Sequence, residues 1–196
     1  MPESVADPRA IEKRRRIVEA AWRAALKHGL RATTMEALAR EAGIAKGTLY
    51  AHFPDKEAVF DGVVAELLVA LAAAFDRGMA SQGTVAERIA AALAGKYGVV
   101  MRAVDGSPHA RELLDAHHRF ASRVADFDRD VEAKVAAALN EAGVAEPQSL
   151  ALIVIGAANG VARATLDPEA ADRAIRLVCR RLIEPSIPSP RARSAR

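Results

Sequence analysis

The residues whose types and spacing point most clearly to a chemistry lie in the range 46–53, where lysine, threonine, tyrosine and histidine alternate with small and apolar residues. Leu49 and Phe53 are four positions apart, so on a helix they share one face and can pack against the protein. Gly47 and Ala51 lie on the opposite face, which is small enough to approach another surface closely. The range therefore predicts a short helix with a buried side and an outward side that carries hydroxyl and amine groups.

Two short helices separated by a glycine make up the surrounding segment. Thr33 precedes Glu36 by three positions, which is the spacing of a capping box and predicts a helix over 34–42. Gly43 follows and can adopt the positive φ that a sharp turn requires. Two short helices joined by a tight turn form a helix-turn-helix, whose second helix lies in the major groove of DNA.

The basic residues are concentrated in the same part of the chain. The whole chain has a net charge of +3, but residues 9–56 contain 11 basic and 5 acidic residues, whereas residues 57–190 contain 14 basic and 18 acidic residues. A basic segment attracts a polyanion such as DNA. A solvated helix face would equally explain the run Lys13-Arg14-Arg15-Arg16, so charge alone does not decide the function.

The motif resembles the signature of the TetR (tetracycline-repressor-like) family of transcriptional regulators. The resemblance spans about 45 residues and rests on Thr34, Leu38-Ala39, the run from Ala42 to Phe53, and Lys56. It implies that Gly47 allows close approach to DNA and that phosphates or bases are contacted by Thr34, Lys46, Thr48, Tyr50, His52 and Lys56. Of these, Lys46, Thr48 and Tyr50 are the side chains suited to reading bases, so DNA shape would supply part of the sequence discrimination.

Several of these positions have alternative interpretations. Lys56 begins the fourth predicted helix, where an N-terminus attracts phosphate, but its side chain could simply face water. Tyr50 could pack against that fourth helix, and His52 could cap its own helix. Ala45 stands where serine is commoner in the family, which removes a cap or phosphate donor.

Composition and periodicity predict an all-α fold of about nine helices. Aromatic residues are only 4% of the chain, and alanine, leucine, arginine and glutamate favour helices over strands. The predicted helices are 9–28, 34–42, 46–53, 56–79 with Asp55 as its cap, 84–103, 108–117, 119–142, 147–165 and 168–183. We expect a DNA-binding domain over 9–56, a ligand-binding and dimerisation domain over 57–184, and flexible tails at 1–8 and 185–196.

The last two predicted helices have the composition of an interface. Residues 150–155 are apolar on all sides of the helix, and Gly156 would let another backbone approach. The family resemblance implies a four-helix dimer interface here, formed by Leu152, Ile155, Gly156, Ile175, Val178 and Leu182. The alternative is that both helices are buried inside a monomer.

The middle of the chain contains polar and aromatic residues that could line an effector pocket. In a TetR-like domain such a pocket is mostly apolar with a few polar anchors. The candidate lining residues are Phe75, Tyr97, Met101, His117, Phe120, Asn159 and Arg163. Core packing explains any one of them equally well.

Other classes of function have little support in the sequence. The single cysteine, Cys179, and an opening without an apolar core are typical of a cytoplasmic chain, and we expect no membrane span. Motifs of hydrolases, phosphate-binding loops and zinc enzymes are missing, so we expect no enzyme and no cofactor. His109, His117 and His118 lack the spacing of a known zinc site, and we expect no metal.

These observations predict a repressor that binds palindromic double-stranded DNA as a homodimer and is released by a small-molecule effector. A constitutive DNA-binding protein without a ligand is the first alternative. A helical enzyme that uses the region of His117 and His118 is the second, and a pure protein-interaction module is the third.

Overall fold

The structure is a computed structural model that describes residues 7–115 and 121–188. Within those residues the fold is all-helical, as predicted, and it contains nine α-helices. They are α1 (Pro8–Ala32), α2 (Met35–Ala42), α3 (Lys46–His52), α4 (Lys56–Met79), α5 (Val85–Val104), α6 (Ala110–Asp115), α7 (Ala121–Glu141), α8 (Pro147–Ala164) and α9 (Pro168–Ile183). A short 3₁₀ turn, Glu184–Ser186, follows α9.

Local capping residues fix several of the helix starts. The Asp7 side chain accepts a hydrogen bond from the Arg9 N–H at 3.0 Å, so α1 begins at Pro8 and the predicted leader 1–8 is too long. The prediction that Asp55 caps α4 is confirmed, because its carboxylate accepts from the Ala58 N–H at 2.7 Å. At the other end of the chain, the 3₁₀ turn occupies the start of the predicted tail 185–196.

The predicted capping box of Thr33 and Glu36 is wrong by one residue. The cap of α2 is Thr34, whose hydroxyl accepts from the Ala37 N–H at 3.2 Å. Thr33 is buried and its hydroxyl instead donates to the Gly29 carbonyl at 2.7 Å. Gly29 itself has φ +78°, so it interrupts α1 as predicted, and the bond from Thr33 satisfies a carbonyl that this break leaves open.

Packing divides the described residues into two compact units. The first runs to Leu67 and includes the segment that begins at Gly106, while the second contains 68–105 and the residues from Ser122 onward. The first turns of α4 therefore pack with the N-terminal helices, as do residues 106–115, which contain α6 and are called the α6 segment below. The expected functional division into 9–56 and 57–184 concerns which residues bind DNA, and it stays a prediction.

The core of the first unit joins the N-terminal helices to the start of α4. Its fully buried side chains are Ile17, Ala20, Ala21, Ala25, Leu38, Leu49, Phe53 and Val59. The α6 segment is attached to the end of α1 by polar contacts: Ser107 donates to the Leu26 carbonyl at 2.8 Å, and Glu112 accepts from the Arg31 N–H at 3.2 Å. This unit is thus held together both by apolar burial and by bonds to backbone groups at the end of α1.

The core of the second unit is formed mainly by α5, α7, α8 and α9. Its fully buried side chains include Ile89, Leu93, Val135, Leu139, Val154, Ile175 and Ile183. The start of α5 carries a complete capping box, in which the Thr84 hydroxyl accepts from the Glu87 N–H and the Glu87 carboxylate accepts from the Thr84 N–H. The sequence pattern at Thr84 is the same as the one misassigned at Thr33.

Helix α4 is long and apolar enough by length and composition to span a membrane, with a mean hydropathy of 2.1 over an 18-residue window. Of that window, 39% is buried inside the protein. Val59, Phe60 and Val63 lie in the core of the first unit, and Phe75 lies in the core of the second. A core helix of a globular protein can have the same length and composition, and burial in the two cores explains the apolar residues at these four positions.

Candidate nucleic-acid interface

The turn between α2 and α3 sets the direction of α3. Gly43 adopts a left-handed conformation with φ +66°, and its N–H donates to the Arg40 carbonyl at 3.2 Å. The next residue, Ile44, donates to the Ala39 carbonyl at 3.0 Å. These two bonds satisfy the last carbonyls of α2, and a side chain at Gly43 would be strained at this φ. The predicted glycine turn is confirmed.

The inner face of α3 is locked into the core of the first unit. Leu49 and Phe53 are fully buried there together with Leu38, as predicted from their shared helix face. Ala45 stands at the N-cap and supplies no side-chain hydrogen bond, in agreement with the missing serine hydroxyl. Because α3 has only seven residues, these buried side chains rather than its own hydrogen bonds keep it helical.

Arg14 also holds α3 in place, and the sequence analysis did not identify this role. Its guanidinium lies 4.1 Å from the centroid of the Phe53 ring, and its Nη1 donates to the His52 carbonyl at 3.4 Å. A cation over an aromatic face is attracted to the ring. The signal in the sequence is that Arg14 lies one turn before the buried Ile17 and Val18, on the face of α1 that meets the core.

The outer face of α3 is open. Gly47 is exposed, and a Cβ atom added to it would meet no other atom within 4 Å. Tyr50 is 44% exposed, so a large part of its side chain is open to solvent. Ala51 is exposed as well and Thr48 is half-buried. The small and hydroxyl-bearing face predicted from the helical projection is therefore accessible.

Lys46 lies at the start of this outer face and forms an ion pair with Glu36 of α2. The side chains of the two residues are 55% and 60% exposed, respectively. The Lys46 ammonium also lies 5.8 Å from the centroid of the Tyr50 ring. The hydrogen bond between the partners raises the pKa of Lys46 and lowers the pKa of Glu36, so both stay charged at neutral pH.

The remaining predicted DNA-contacting residues lie at the ends of α2, α3 and α4. Thr34 uses its hydroxyl as the cap of α2, and His52 is half-buried at the end of α3. Lys56 is half-buried, and its ammonium donates to the Leu30 carbonyl at 3.2 Å, so the alternative that Lys56 simply faces water is wrong. Thr34, Lys46 and Lys56 thus each have a partner within the protein.

The predicted pocket residues lie in the second unit or outside the described residues. Phe75, Tyr97 and Met101 are buried, and the Tyr97 hydroxyl donates to the Asn159 side-chain oxygen. Burial raises the pKa of Tyr97, and the nearby Asp128 carboxylate raises it further, so the phenol is neutral and acts as a donor. Asn159 and Arg163 are exposed residues of α8, whereas His117 and Phe120 fall within 116–120, outside the described residues.

Lys96 lies next to these residues and was not identified from the sequence. It is only 5% exposed, and its ammonium lies 3.1 Å from an Asp128 oxygen and 5.0 and 5.1 Å from the centroids of the Tyr97 and Phe127 rings. A buried cation must be paired to be tolerated, and Asp128 supplies that pairing. The signal in the sequence is a lysine within the otherwise apolar face of α5.

The predicted interface residues differ in their exposure. Leu152 is 63% exposed and Gly156 is exposed with open space around it, whereas Ile175 is fully buried in the core of its own unit. Ile155, Val178 and Leu182 are half-buried. Ile175 thus lies beneath the surface that a second copy could contact, because its face of α9 points into the core.

Within the described residues no three histidine, cysteine or acidic side chains lie close enough together to hold a metal ion. His109 lies 3.6 Å from Glu112 in the α6 segment. His117 and His118 fall outside the described residues. The described part of the chain therefore offers no geometry for the metal chemistry considered above.

Comparison with known sequences identifies the helix-turn-helix segment. The family model for bacterial regulatory proteins of the tetR family matches residues 17–63. The HTH-type transcriptional regulator YhgD of Bacillus subtilis strain 168 is 39% identical over 59 residues, which is 30% of this chain and 31% of YhgD. A second regulator of that organism, YerO, is 46% identical over 48 residues, which is 24% of this chain and 17% of YerO. The matches thus span less than a third of either relative.

Comparison with solved structures covers nearly the whole chain. A transcriptional regulator from Rhodococcus sp. Rha1 has a TM-score of 0.70 at 19% identity, covering 90% of this chain and 99% of that one. The fatty acid degradation regulator FadR from Bacillus halodurans has a TM-score of 0.68 at 16% identity, covering 92% and 97%. At these identities the likeness establishes a shared fold.

Proposed function

Because the chain belongs to the TetR family of helix-turn-helix transcriptional regulators through residues 17–63, we propose that it is a repressor that binds a palindromic operator as a homodimer and leaves it when a small molecule binds. The family consists of regulators rather than enzymes. A protein with this role acts in the bacterial cytoplasm, where the DNA is.

The observation that carries the proposal is the open outer face of α3. Leu49 and Phe53 fix the helix from behind, so Gly47 and Tyr50 are held at the surface without help from a partner. A rigid, small and polar helix face is what entry into a major groove requires. Lys46 at the start of α3, Thr34 before α2 and Lys56 at the start of α4 are donors for phosphates, and the two lysines would exchange their partners within the protein to act as such.

The exposed surface of α8 and α9 supports a homodimer. Leu152 and Ile153 of α8 and Leu177 of α9 are large apolar side chains exposed to solvent in the single chain. Gly156 and Gly160 on α8 are exposed, and a Cβ atom added to either would meet no neighbouring atom within 4 Å, so a second backbone can approach there. A symmetric dimer presents two α3 helices and so reads two half-sites about 34–36 Å apart, or a multiple of this spacing.

The cluster around Tyr97 supports an effector site in the second unit. The Tyr97 hydroxyl and the Lys96 ammonium belong to buried residues among apolar side chains, and the hydroxyl donates to the exposed Asn159; such mixtures of apolar and polar groups orient small molecules. To switch operator occupancy almost completely, the effector must prefer one conformation of the dimer by about 5.5 kcal/mol.

Selection of duplexes from a random-sequence pool by the purified protein tests the DNA-binding proposal, and it does not require the operator sequence to be chosen beforehand. We expect enrichment of an inverted repeat whose half-site centres are one helical turn, or a multiple of it, apart. Recovery of no common sequence after repeated rounds would contradict operator binding, and recovery of a single half-site would contradict binding as a dimer.

The selected duplex then allows a test of whether a small molecule releases the protein from DNA. Small molecules that copurify with the protein are identified by mass spectrometry and added to the preformed complex. Release of the duplex by one of them supports the repressor mechanism. Unchanged affinity with every compound would leave a constitutive DNA-binding protein as the better description.

A further inference from the structure

The ion pair between Lys46 and Glu36 places a carboxylate on the face that the proposed function assigns to DNA. Lys46 is the first residue of α3, directly before the open Gly47, and Glu36 reaches it from the first turn of α2. The centroid of the Tyr50 ring also lies 5.8 Å from the ammonium. An approaching phosphate therefore meets a lysine that already has an anionic partner.

The ion pair is exposed, so Lys46 can exchange Glu36 for another anionic partner. More than half of each side chain is open to solvent, and exposed ion pairs contribute little stability because water screens them. Nothing buried depends on the contact, so the lysine can turn from the carboxylate to a phosphate without disturbing the core. The exchange leaves the Glu36 carboxylate without its cation, close to a polyanion.

The other acidic residues of α1 and α2 that form ion pairs have different partners. Glu12 and Glu19 pair with Arg15 along α1, and Glu41 of α2 pairs with Arg23 of α1 at 3.2 Å. Neither Arg15 nor Arg23 is a predicted DNA-contacting residue. Glu36 therefore carries the same charge as these residues but has a different partner, and at 60% its side chain is also more exposed than that of Glu41 at 28%.

The exchange has a consequence for the salt dependence of binding. A free lysine that neutralises a phosphate releases about 0.9 condensed counterions, which steepens the dependence of log K on log salt by that amount. When Lys46 first leaves Glu36, the freed carboxylate stays near the phosphates and retains part of the cations that a free lysine would release. In the native chain, Lys46 then adds less to the slope than a free lysine would.

We propose that Glu36 competes with DNA phosphate for Lys46, and thereby weakens binding to DNA of any sequence and flattens its salt dependence. The inference rests on the proposed function, because it assumes that the outer face of α3 meets DNA. Glu36 then has a role in selectivity. Because it reduces attraction to DNA of any sequence, discrimination between DNA sequences depends more on the bases that α3 reads and less on phosphate contacts.

The test measures binding of the full chain to a random-sequence duplex by fluorescence anisotropy across a series of KCl concentrations. Four variants are compared with the parent: Glu36→Gln, Lys46→Gln, the double variant, and Glu41→Gln as the matched control. Glu41→Gln removes the same charge from the same helix but frees Arg23 instead of Lys46. Circular dichroism verifies that each variant is folded.

We expect Glu36→Gln to bind more tightly and to steepen the slope by up to about 0.9 per subunit, or up to about 1.8 for a dimer. Lys46→Gln should flatten the slope of the parent by less than this amount and should abolish the gain in the double variant. Glu41→Gln should behave like the parent.

If Glu36→Gln and Glu41→Gln have the same salt slope, the inference is wrong. Weaker binding by Glu36→Gln would also contradict it, because Glu36 would then position Lys46 for DNA rather than compete with DNA for Lys46. In both cases the parent still binds DNA, so the proposed function stands. If neither the parent nor any variant binds DNA at low salt, the proposed function fails and the inference fails with it.

Discussion

Replacing Gly47 with alanine distinguishes the effect of this residue on the stability of the protein from its effect on DNA binding. The site is exposed in α3, and an added Cβ would meet no atom of the protein within 4 Å. Alanine is a better helix former than glycine, so Gly47→Ala should raise the free energy of unfolding by about 0.5 to 1 kcal/mol. In the free protein, glycine at position 47 therefore lowers the stability and makes no compensating contact.

The expected effect on DNA binding has the opposite sign. The added methyl group stands about 1.5 Å from the Cα atom, so it displaces the helix from a groove that the glycine allows it to approach. A hydrogen bond stretched to about 3.6 Å no longer counts as one. Losing one charge-assisted bond in each subunit costs about 3 kcal/mol, which corresponds to a roughly hundredfold weaker complex.

The assay pairs chemical denaturation with anisotropy measurements on the selected duplex. Ala51→Gly serves as the control, because it lies one turn further along the same exposed face and reverses the change. We expect this control to lose stability by about 0.5 to 1 kcal/mol while keeping its affinity within a few fold. If Gly47→Ala binds the duplex as tightly as the parent, α3 does not approach DNA through Gly47 and the reasoning is wrong.

Four further substitutions or measurements test other parts of the account. Tyr50→Ala should weaken DNA binding, measured by gel shift, without lowering stability, because the ring is 44% exposed. Lys56→Ala should flatten the salt slope by about one unit per subunit and should also lower the free energy of unfolding by about 1 kcal/mol, since it removes the bond to the Leu30 carbonyl. Leu152→Glu should convert a dimer into folded monomers in analytical ultracentrifugation and weaken operator binding. Cys179 should resist thiol reagents at pH 8 in the native protein, because burial raises its pKa from 9.0 to about 11. The unfolded chain then loses this proton first, so the free energy of unfolding should fall as the pH rises from 9 to 11.

Each of these outcomes can be contradicted. Unchanged gel shifts for both Tyr50→Ala and Lys56→Ala would make the assignment of the DNA-contacting residues wrong. A Leu152→Glu protein that remains dimeric would move the interface away from α8. Rapid modification of Cys179 in the folded protein would show that α9 is not packed as described.

The elements of the fold could be predicted because their signals are local. The glycine at position 43 and the aspartate at position 55 act through neighbouring backbone groups, and each ends or begins a helix where the sequence indicates. Thr33 shows the limit of such signals. Two adjacent threonines fit the same cap, and the choice of Thr34 depends on Thr33 bonding to the Gly29 carbonyl, which is part of a neighbouring helix.

The partners of the candidate site could not be predicted because they come from other elements. The inner and outer faces of α3 follow from helical periodicity, and the structure agrees with both. Lys56 bonds to the end of α1, Lys46 pairs with α2, and Arg14 reaches the Phe53 ring, and nothing in the spacing along the chain specifies these contacts. The burial of Lys96 could not be predicted for the same reason, because its ion-pair partner Asp128 belongs to α7.

A crystal structure of the chain bound to its selected duplex would show directly which surface of the protein meets DNA. We expect α3 of each subunit to lie in a major groove with the backbone at Gly47 nearest to the bases, and the Lys46 ammonium to have moved from Glu36 to a phosphate or base. A complex in which another surface contacts the duplex while the outer face of α3 remains in solvent would contradict it.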